Sequence, residues 1–219
     1  MAEEAATEVT GALLAGGRSL RMGSDKCLVD LAGQPMVSHV IARLRPQVHR
    51  IVIVANDDPT RFSGTCLPVV CDTVEGHAGP LAGLHAALEW ALSETPEAQL
   101  VATVPVDTPF FPADMVARLL EALRRTDAGS AIAASGGIRH PVAGLWEVAL
   151  IGEVENALRS GVRAMTRFAE LQQSAVVEFP AIEIGGNGFD PFFNVNTPDE
   201  LAQAEQLLAA HAQAGAPQG

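Results

Sequence analysis

The 219-residue sequence has no tyrosine, only three cysteines and just 5% aromatic residues, and Lys26 is its single lysine. With aromatics this scarce, its core has to be aliphatic. Positive charge is also in short supply: 14 Lys and Arg face 26 Asp and Glu, for a formal net charge of −12. A field of that sign repels a phosphate polymer, which argues against non-specific nucleic-acid binding. Cys27, Cys66 and Cys71 are odd in number and form no C-x-x-C or His-rich ligand pattern, so neither a disulfide framework nor a zinc site is indicated. They are expected to be reduced and to pack as small hydrophobes. No apolar run approaches the roughly 18 residues that a membrane span needs, and the start Met1-Ala2-Glu3-Glu4 is acidic where a signal peptide is basic. A cytoplasmic protein with no membrane contact is the expectation. What the chain does have is 48% hydrophobic residues against 18% charged ones, enough to bury a sizeable core and unlike a disordered chain.

Short apolar runs alternate with helical patterns, the order that a mostly parallel central sheet with helices on both faces produces. An α/β fold in one domain is expected over residues 1–219, with a first half at about 9–135, a second at about 136–208 and a disordered tail at 211–219. The expected strands are Val9 to Leu14, Ile51 to Val54, Pro68 to Asp72, Leu100 to Val106, Ala131 to Ala134, Val142 to Trp146 and Ala175 to Phe179. Expected helices cover Met36 to Leu44, a segment opening at Gly79-Pro80 with Leu81, Leu84, Leu88 and Leu92 on its apolar face, and Pro112 to Arg125. Further helices are expected over Ala149 to Arg159, Ala164 to Leu171 and Pro198 to Ala210, with Gly185-Gly186-Asn187-Gly188 as a loop.

Chemistry concentrates in the segment after the first strand, Leu14-Ala15-Gly16-Gly17-Arg18-Ser19-Leu20-Arg21-Met22-Gly23-Ser24-Asp25-Lys26. Glycines there let backbone approach a ligand closely, and successive free N–H groups suit phosphate oxygens. The pattern is neither G-x-G-x-x-G nor G-x-x-x-x-G-K-[ST], which disfavours a dinucleotide fold and a phosphate-loop ATPase. Arg18, Arg21 and Lys26 place three cations within nine residues of an acidic chain. A local anion site follows, and the compact, mobile ammonium of Lys26 suits a triphosphate whose charge shifts during reaction. Asp107, in Val104-Pro105-Val106-Asp107-Thr108-Pro109, falls just beyond a hydrophobic strand, at the sheet edge where open α/β folds bind ligands. There it is placed to hold Mg²⁺ against phosphates, because Mg²⁺ commonly binds through one or two carboxylates plus phosphate oxygens and water. Arg139-His140-Pro141, with Arg163 and Arg167, offers a weaker candidate face for an anionic acceptor. His77 is a surface loop histidine in this reading, and His39, His85, Arg124 and Arg125 are structural or solvent-facing.

The Leu-Ala-Gly-Gly loop with Arg21-Met22-Gly23 and Asp25-Lys26, the Asp107-Thr108-Pro109 strand end, and Phe193-Asn194-Val195-Asn196-Thr197-Pro198-Asp199-Glu200-Leu201 together resemble the molybdenum cofactor guanylyltransferase family. The likeness runs over roughly residues 9 to 208. Related cytidylyltransferases usually carry Ala-Ala-Gly in the loop and Asp where Asn196 stands. The resemblance implies a Rossmann-like nucleotidyltransferase fold that joins GMP from GTP to the terminal phosphate of molybdopterin, with Mg²⁺ as cofactor and pyrophosphate released. It implies GTP contacts at Leu14, Ala15, Gly16, Gly17, Lys26, Asn56, Asp72 and Asp107. Lys26, Arg21 and Asp107 are the implied catalytic set, with Asp107 also holding the metal. Asn194 and Asn196 are implied on the pterin side, so that the first half binds nucleotide and the second the acceptor. Small-molecule substrates, a monomer, and contacts with the proteins that supply molybdopterin and mature molybdoenzymes complete the expectation.

Overall fold

A computed structural model describes residues 9–16, 28–56, 58–71, 79–184 and 187–214. Strand β1 (Val9–Leu14) is buried at all six positions, and alternation sends its side chains to two different layers. Leu13 packs with Val37, Val40, Ile41 and Leu44 of helix α1 (Met36–Leu44) and with Leu119 and Leu123 of helix α3 (Met115–Arg124). Ala12 and Leu14 face the other way, onto Leu81, Leu84 and Leu88 of helix α2 (Pro80–Glu94). Burial on both faces is why the strand reads as a continuous apolar run, as parallel strands in α/β proteins do.

A short hairpin, β2 (Asp30–Leu31) and β3 (Gln34–Pro35), precedes α1. The central sheet contains β4 (Arg50–Val54), β5 (Val69–Val70), β6 (Leu100–Pro105), β7 (Ser130–Ser135), β8 (Ile138–Glu147) and β9 (Ala175–Phe179), in the spatial order β5-β4-β1-β6-β8-β7-β9. The pairs β5–β4, β4–β1, β1–β6 and β7–β9 are parallel, and β8 runs antiparallel to both β6 and β7. Leu14 is in register with Val54 on one side and Pro105 on the other, so β1, β4 and β6 end at one level of one sheet edge. Helices α4 (Ile151–Arg159) and α5 (Met165–Leu171) join α2 on its face of the sheet through Val154, Leu158, Met165 and Phe168.

Several expectations need correction. Strand β8 begins at Ile138 rather than Val142, because Gly136 and Gly137, with φ of +54° and +78°, close a two-residue hairpin whose left-handed geometry matches strand twist. Ile182–Ile184 (β10) and Asn187–Phe189 (β11) pair as a hairpin where a glycine-rich loop is expected. Helix α6 (Pro198–Ala214) passes the expected end at Ala210 and takes residues 211–214 out of the expected tail. Leu92 is 51% exposed, since Ala91 rather than Leu92 closes the packed face in the last turn of α2. Cys66 and Cys71 are free but exposed, so they do not pack in the core, and Cys27 lies outside the described residues. A separate apolar cluster of Leu31, Met36, Phe110, Val195, Ala204 and Leu207, with Phe189 and Phe193 against it, clamps α6 and the β10–β11 hairpin to the start of α1. That clamp fixes the segment carrying Asn194.

Candidate active site

The chain leaves β1 as Ala15-Gly16, β4 as Ala55-Asn56 and β6 as Val106-Asp107, all at one edge, and because β8 is reversed its beginning reaches the same edge. These segments line a cleft of about 790 Å³ with Gly79, Pro80 and Gly83 of the α2 start, and with Thr166, Phe192 and Asn194. Strands lie about 5 Å apart, so Asn56, Gly16 and Asp107, each two residues past the end of neighbouring strands β4, β1 and β6, and His140 near the start of β8 are set out in a row across the cleft.

At Gly16 an added Cβ would meet nothing within 4 Å among the described residues, and its φ is not positive. No described neighbour and no positive φ requires glycine there, while its place on the cleft wall leaves room for a ligand to approach the backbone closely. Gly79 is required by the fold itself: its φ is +75°, and a Cβ would sit 3.1 Å from the Arg163 carbonyl. Ala15 is buried just behind the wall, its N–H donating to the Val54 carbonyl at 2.8 Å and its own carbonyl accepting from Arg61 Nη2 at 3.4 Å. Arg61 thereby braces the exit of β1 from the side of β4, a role with no signal in the sequence.

Asp107 and its neighbour Thr108 are each tied to the Asn194 segment. The Val195 N–H donates to the Asp107 carbonyl at 2.9 Å, and the hydroxyl of buried Thr108 donates to Asn194 Oδ1 at 2.6 Å. With Oδ1 held by Thr108, the amide N–H groups of the exposed Asn194 side chain are the ones left for a ligand. Asn196 stands one step back: its Nδ2 donates to the Asn194 carbonyl at 3.4 Å, and its backbone N–H to Glu200 Oε2 at 2.7 Å.

The far end of the cleft holds a network that the motifs do not announce. Ser135 Oγ, at the end of β7, donates to Asp190 Oδ1 at 2.6 Å and lies 2.7 Å from His140 Nε2. The His140 ring stacks on Phe192, with centroids 4.8 Å apart and planes 25° apart. Burial lowers the His140 pKa below its ordinary value, against the opposing pull of Asp190 and Glu178. His140 itself was legible as a weak candidate; Ser135, Asp190 and Phe192 were not.

Of the site residues expected from the sequence, Leu14, Gly16, Asn56, Asp107 and Asn194 line this one cleft. Gly17, Arg21, Lys26 and Asp72 lie outside the described residues, as do Arg18, Asp25 and His77. The weaker expectation for Arg163 and Arg167 fails. Arg163 Nη1 donates to the carbonyls of Leu158 and Val162, and Arg167 pairs with Glu170 at 3.0 Å, so Arg139 is the one cation lining the cleft among the described residues. His39 is structural, holding the Leu31 carbonyl at 2.7 Å through Nε2, and His85 is buried between Glu89 and Glu155.

Known proteins share both sequence and fold. The MobA-like NTP transferase domain matches residues 11–176. The molybdenum cofactor guanylyltransferase of Bradyrhizobium sp. is 46% identical over 211 residues, covering 95% of this chain and 97% of that protein. The one from Rhizobium meliloti is likewise 46% identical, over 205 residues and 93% of each chain. Among solved structures, molybdopterin-guanine dinucleotide biosynthesis protein A from Archaeoglobus fulgidus has the same fold, with a TM-score of 0.68 at 24% identity over 91% of this chain and 98% of that one. By its match over most of its length, this chain belongs to the family of MobA-like NTP transferases, among the molybdenum cofactor guanylyltransferases.

Proposed function

We propose that this enzyme transfers GMP from GTP to the terminal phosphate of molybdopterin, forming the guanine dinucleotide form of the molybdenum cofactor. A terminal phosphate oxygen of molybdopterin attacks the α-phosphorus of GTP in line; the bond from the α-phosphorus to the bridging oxygen breaks, and pyrophosphate leaves. The nucleophile is already an anion, so no side chain has to remove a proton. The protein's task is to hold two anions in line and to neutralise charge that develops on the leaving group. The observation that carries the reading is that Asn56, Gly16, Asp107 and Asn194 line one cleft, on a chain so similar to guanylyltransferases.

In this reading Asn56 and Asp72 contact the nucleotide, Leu14, Ala15, Gly16 and Gly17 pass close to its phosphates, and Lys26 with Arg21 or Arg18 neutralises the leaving pyrophosphate. Asn194, braced by Asn196, turns its amide N–H groups to the acceptor. Mg²⁺ fits the donor chemistry of the site. Asp107 contributes one hard carboxylate to the cleft lining, and no cluster of three or more His, Cys, Asp or Glu gathers anywhere among the described residues. Such a site suits an ion that takes most of its ligands from phosphate oxygens and water. Asp107 would hold the ion, which would supply positive charge to the triphosphate. A cytoplasmic location belongs to the same proposal.

Pyrophosphate release tests it, measured with molybdenum-loaded molybdopterin and GTP, CTP, ATP or UTP in parallel, and with the pterin omitted as control. Pterin-dependent release with GTP alone is expected. Release with CTP instead would keep the chemistry but move the chain to the sister cytidylyl activity. Lys26→Ala and Asp107→Ala are each expected to lower turnover at least ~100-fold, the size of effect that loss of one preorganised electrostatic group produces. A near-normal rate in either variant contradicts the assignment of that residue.

A further inference from the structure

The network at the far end of the cleft is unexplained by nucleotide binding. Asp190 Oδ1 accepts two hydrogen bonds, from the Ser135 hydroxyl at 2.6 Å and from the Phe192 backbone N–H at 2.8 Å. A serine hydroxyl has one proton, and with that proton given to the carboxylate, Ser135 Oγ can only accept from His140. Nε2 of His140 therefore carries hydrogen, and Nδ1 carries a lone pair. No partner for Nδ1 exists among the described residues, although His140 lines the cleft. The arrangement draws on β7, β8 and the segment after β11, and it commits Ser135, which is only 5% exposed. The β7–β8 hairpin is already closed by its backbone ladder, so the network is not needed to hold the strands together.

Its position in the cleft says which substrate it meets. His140 is on β8, one strand beyond β6, which Asp107 follows, and two beyond the exit of β1, on the side away from Asn56. Nucleotide laid over β4 and β1, with its α-phosphate at Asp107, leaves the space over β8 for the acceptor. We infer that His140 is a recognition residue for the acceptor, its Nδ1 accepting a hydrogen bond from a ring or exocyclic N–H of the pterin while Ser135 and Asp190 fix the imidazole's orientation. Burial keeps that lone pair available by lowering the pKa, and Asp190, Glu178 and the adjacent Arg139 are the charged groups around it. The inference rests on the proposed function and adds to it the group that reads the heterocycle rather than the phosphate.

Steady-state kinetics with GTP and molybdopterin varied in turn, on the full chain, tests this. His140→Phe keeps a flat ring against Phe192 but accepts no hydrogen bond. It is expected to raise KM for molybdopterin about tenfold, the scale of one net hydrogen bond, and to leave KM for GTP within about twofold. His140→Asn, whose Oδ1 stands near the Nδ1 position, is expected to recover most of that loss. His140→Gln reaches Ser135 but offers no acceptor at the Nδ1 position, and it is expected to behave like His140→Phe. A folding defect would show as loss of GTP-induced thermal stabilisation in all three variants, and would overturn the inference in favour of a structural role. Rescue by Gln and not by Asn would do the same, as would an unchanged KM for molybdopterin in His140→Phe. Failure of the unsubstituted protein to turn over any nucleotide would remove the functional reading itself, and the inference with it, whereas normal turnover with an indifferent His140 removes the inference alone.

Discussion

One proton on Thr108 decides how Asn194 presents itself. The hydroxyl is 2.6 Å from Asn194 Oδ1 and 3.5 Å from the Asp107 carboxylate, and the short contact wins. Donation to Oδ1 sets the amide so that its N–H groups, not its carbonyl, are offered to the cleft, which is the right polarity for an anionic acceptor. Thr108→Val keeps the shape and removes the donor. Asn194 is then free to present either end of its amide, and kcat/KM for the acceptor is expected to fall about tenfold, while Thr108→Ser, which keeps the hydroxyl, stays near the unsubstituted value. The thermal midpoints of both variants are expected to be close, because Val fills the buried space as well as Thr does. Equal kcat/KM in the Val and Ser variants would mean that the amide's orientation has no consequence.

At the level of elements, the Asn194-Val195-Asn196-Thr197 segment is held in place by the helix it introduces. Thr197 Oγ1 accepts from the Glu200 N–H at 3.2 Å, and Glu200 Oε2 reaches back to the Asn196 N–H at 2.7 Å, with Pro198 in the first turn of α6. This reciprocal cap is what Thr-x-x-Glu before an apolar helix signals. Thr197→Ala is expected to cost about 1 kcal/mol of stability by urea denaturation, and to raise KM for the acceptor more than KM for GTP, since the cap tethers Asn196 and, through it, Asn194. A stability loss with both KM values unchanged would separate the cap from the site. Much of this architecture is visible in the sequence, because strands buried on both faces leave unbroken apolar runs and their ends mark the sheet edge. The Gly16 loop and Asp107 are legible in that way, whereas Asn56 is reached only through the family resemblance. The β10–β11 hairpin is not legible, since Gly185-Gly186-Asn187-Gly188 reads as a loop and its pairing depends on the apolar clamp with Phe110 and Val195. Nor is the partnership of Ser135, His140 and Asp190. Ser135 and Asp190 are 55 residues apart, and no periodicity links them.

Over the whole molecule, the side proposed to take the nucleotide and the side proposed to take the acceptor share one sheet and much of one core. The cluster around Val9, Leu13 and Val104 continues through Ala131, Ala143 and Leu145 to Phe179 and Phe192, and reversed β8 is the strand that joins the two sides by pairing with both β6 and β7. Separating the sides would expose those apolar faces and break the β6–β8 ladder. Burial of this kind favours all-or-none unfolding. Scanning calorimetry is expected to give a single transition whose calorimetric and van't Hoff enthalpies agree. Binding to the native state alone stabilises it by RT ln(1 + [L]/Kd), about 2.7 kcal/mol at 100 times Kd. Saturating GTP with Mg²⁺ should therefore move the entire transition to higher temperature, although in the proposed reading its phosphates touch only the edge formed by β1, β4 and β6. Two resolved transitions, with only one shifted by GTP, would mean that β8 is a seam between independently folding halves and that acceptor recognition at His140 and Asn194 is thermodynamically separate from the nucleotide side.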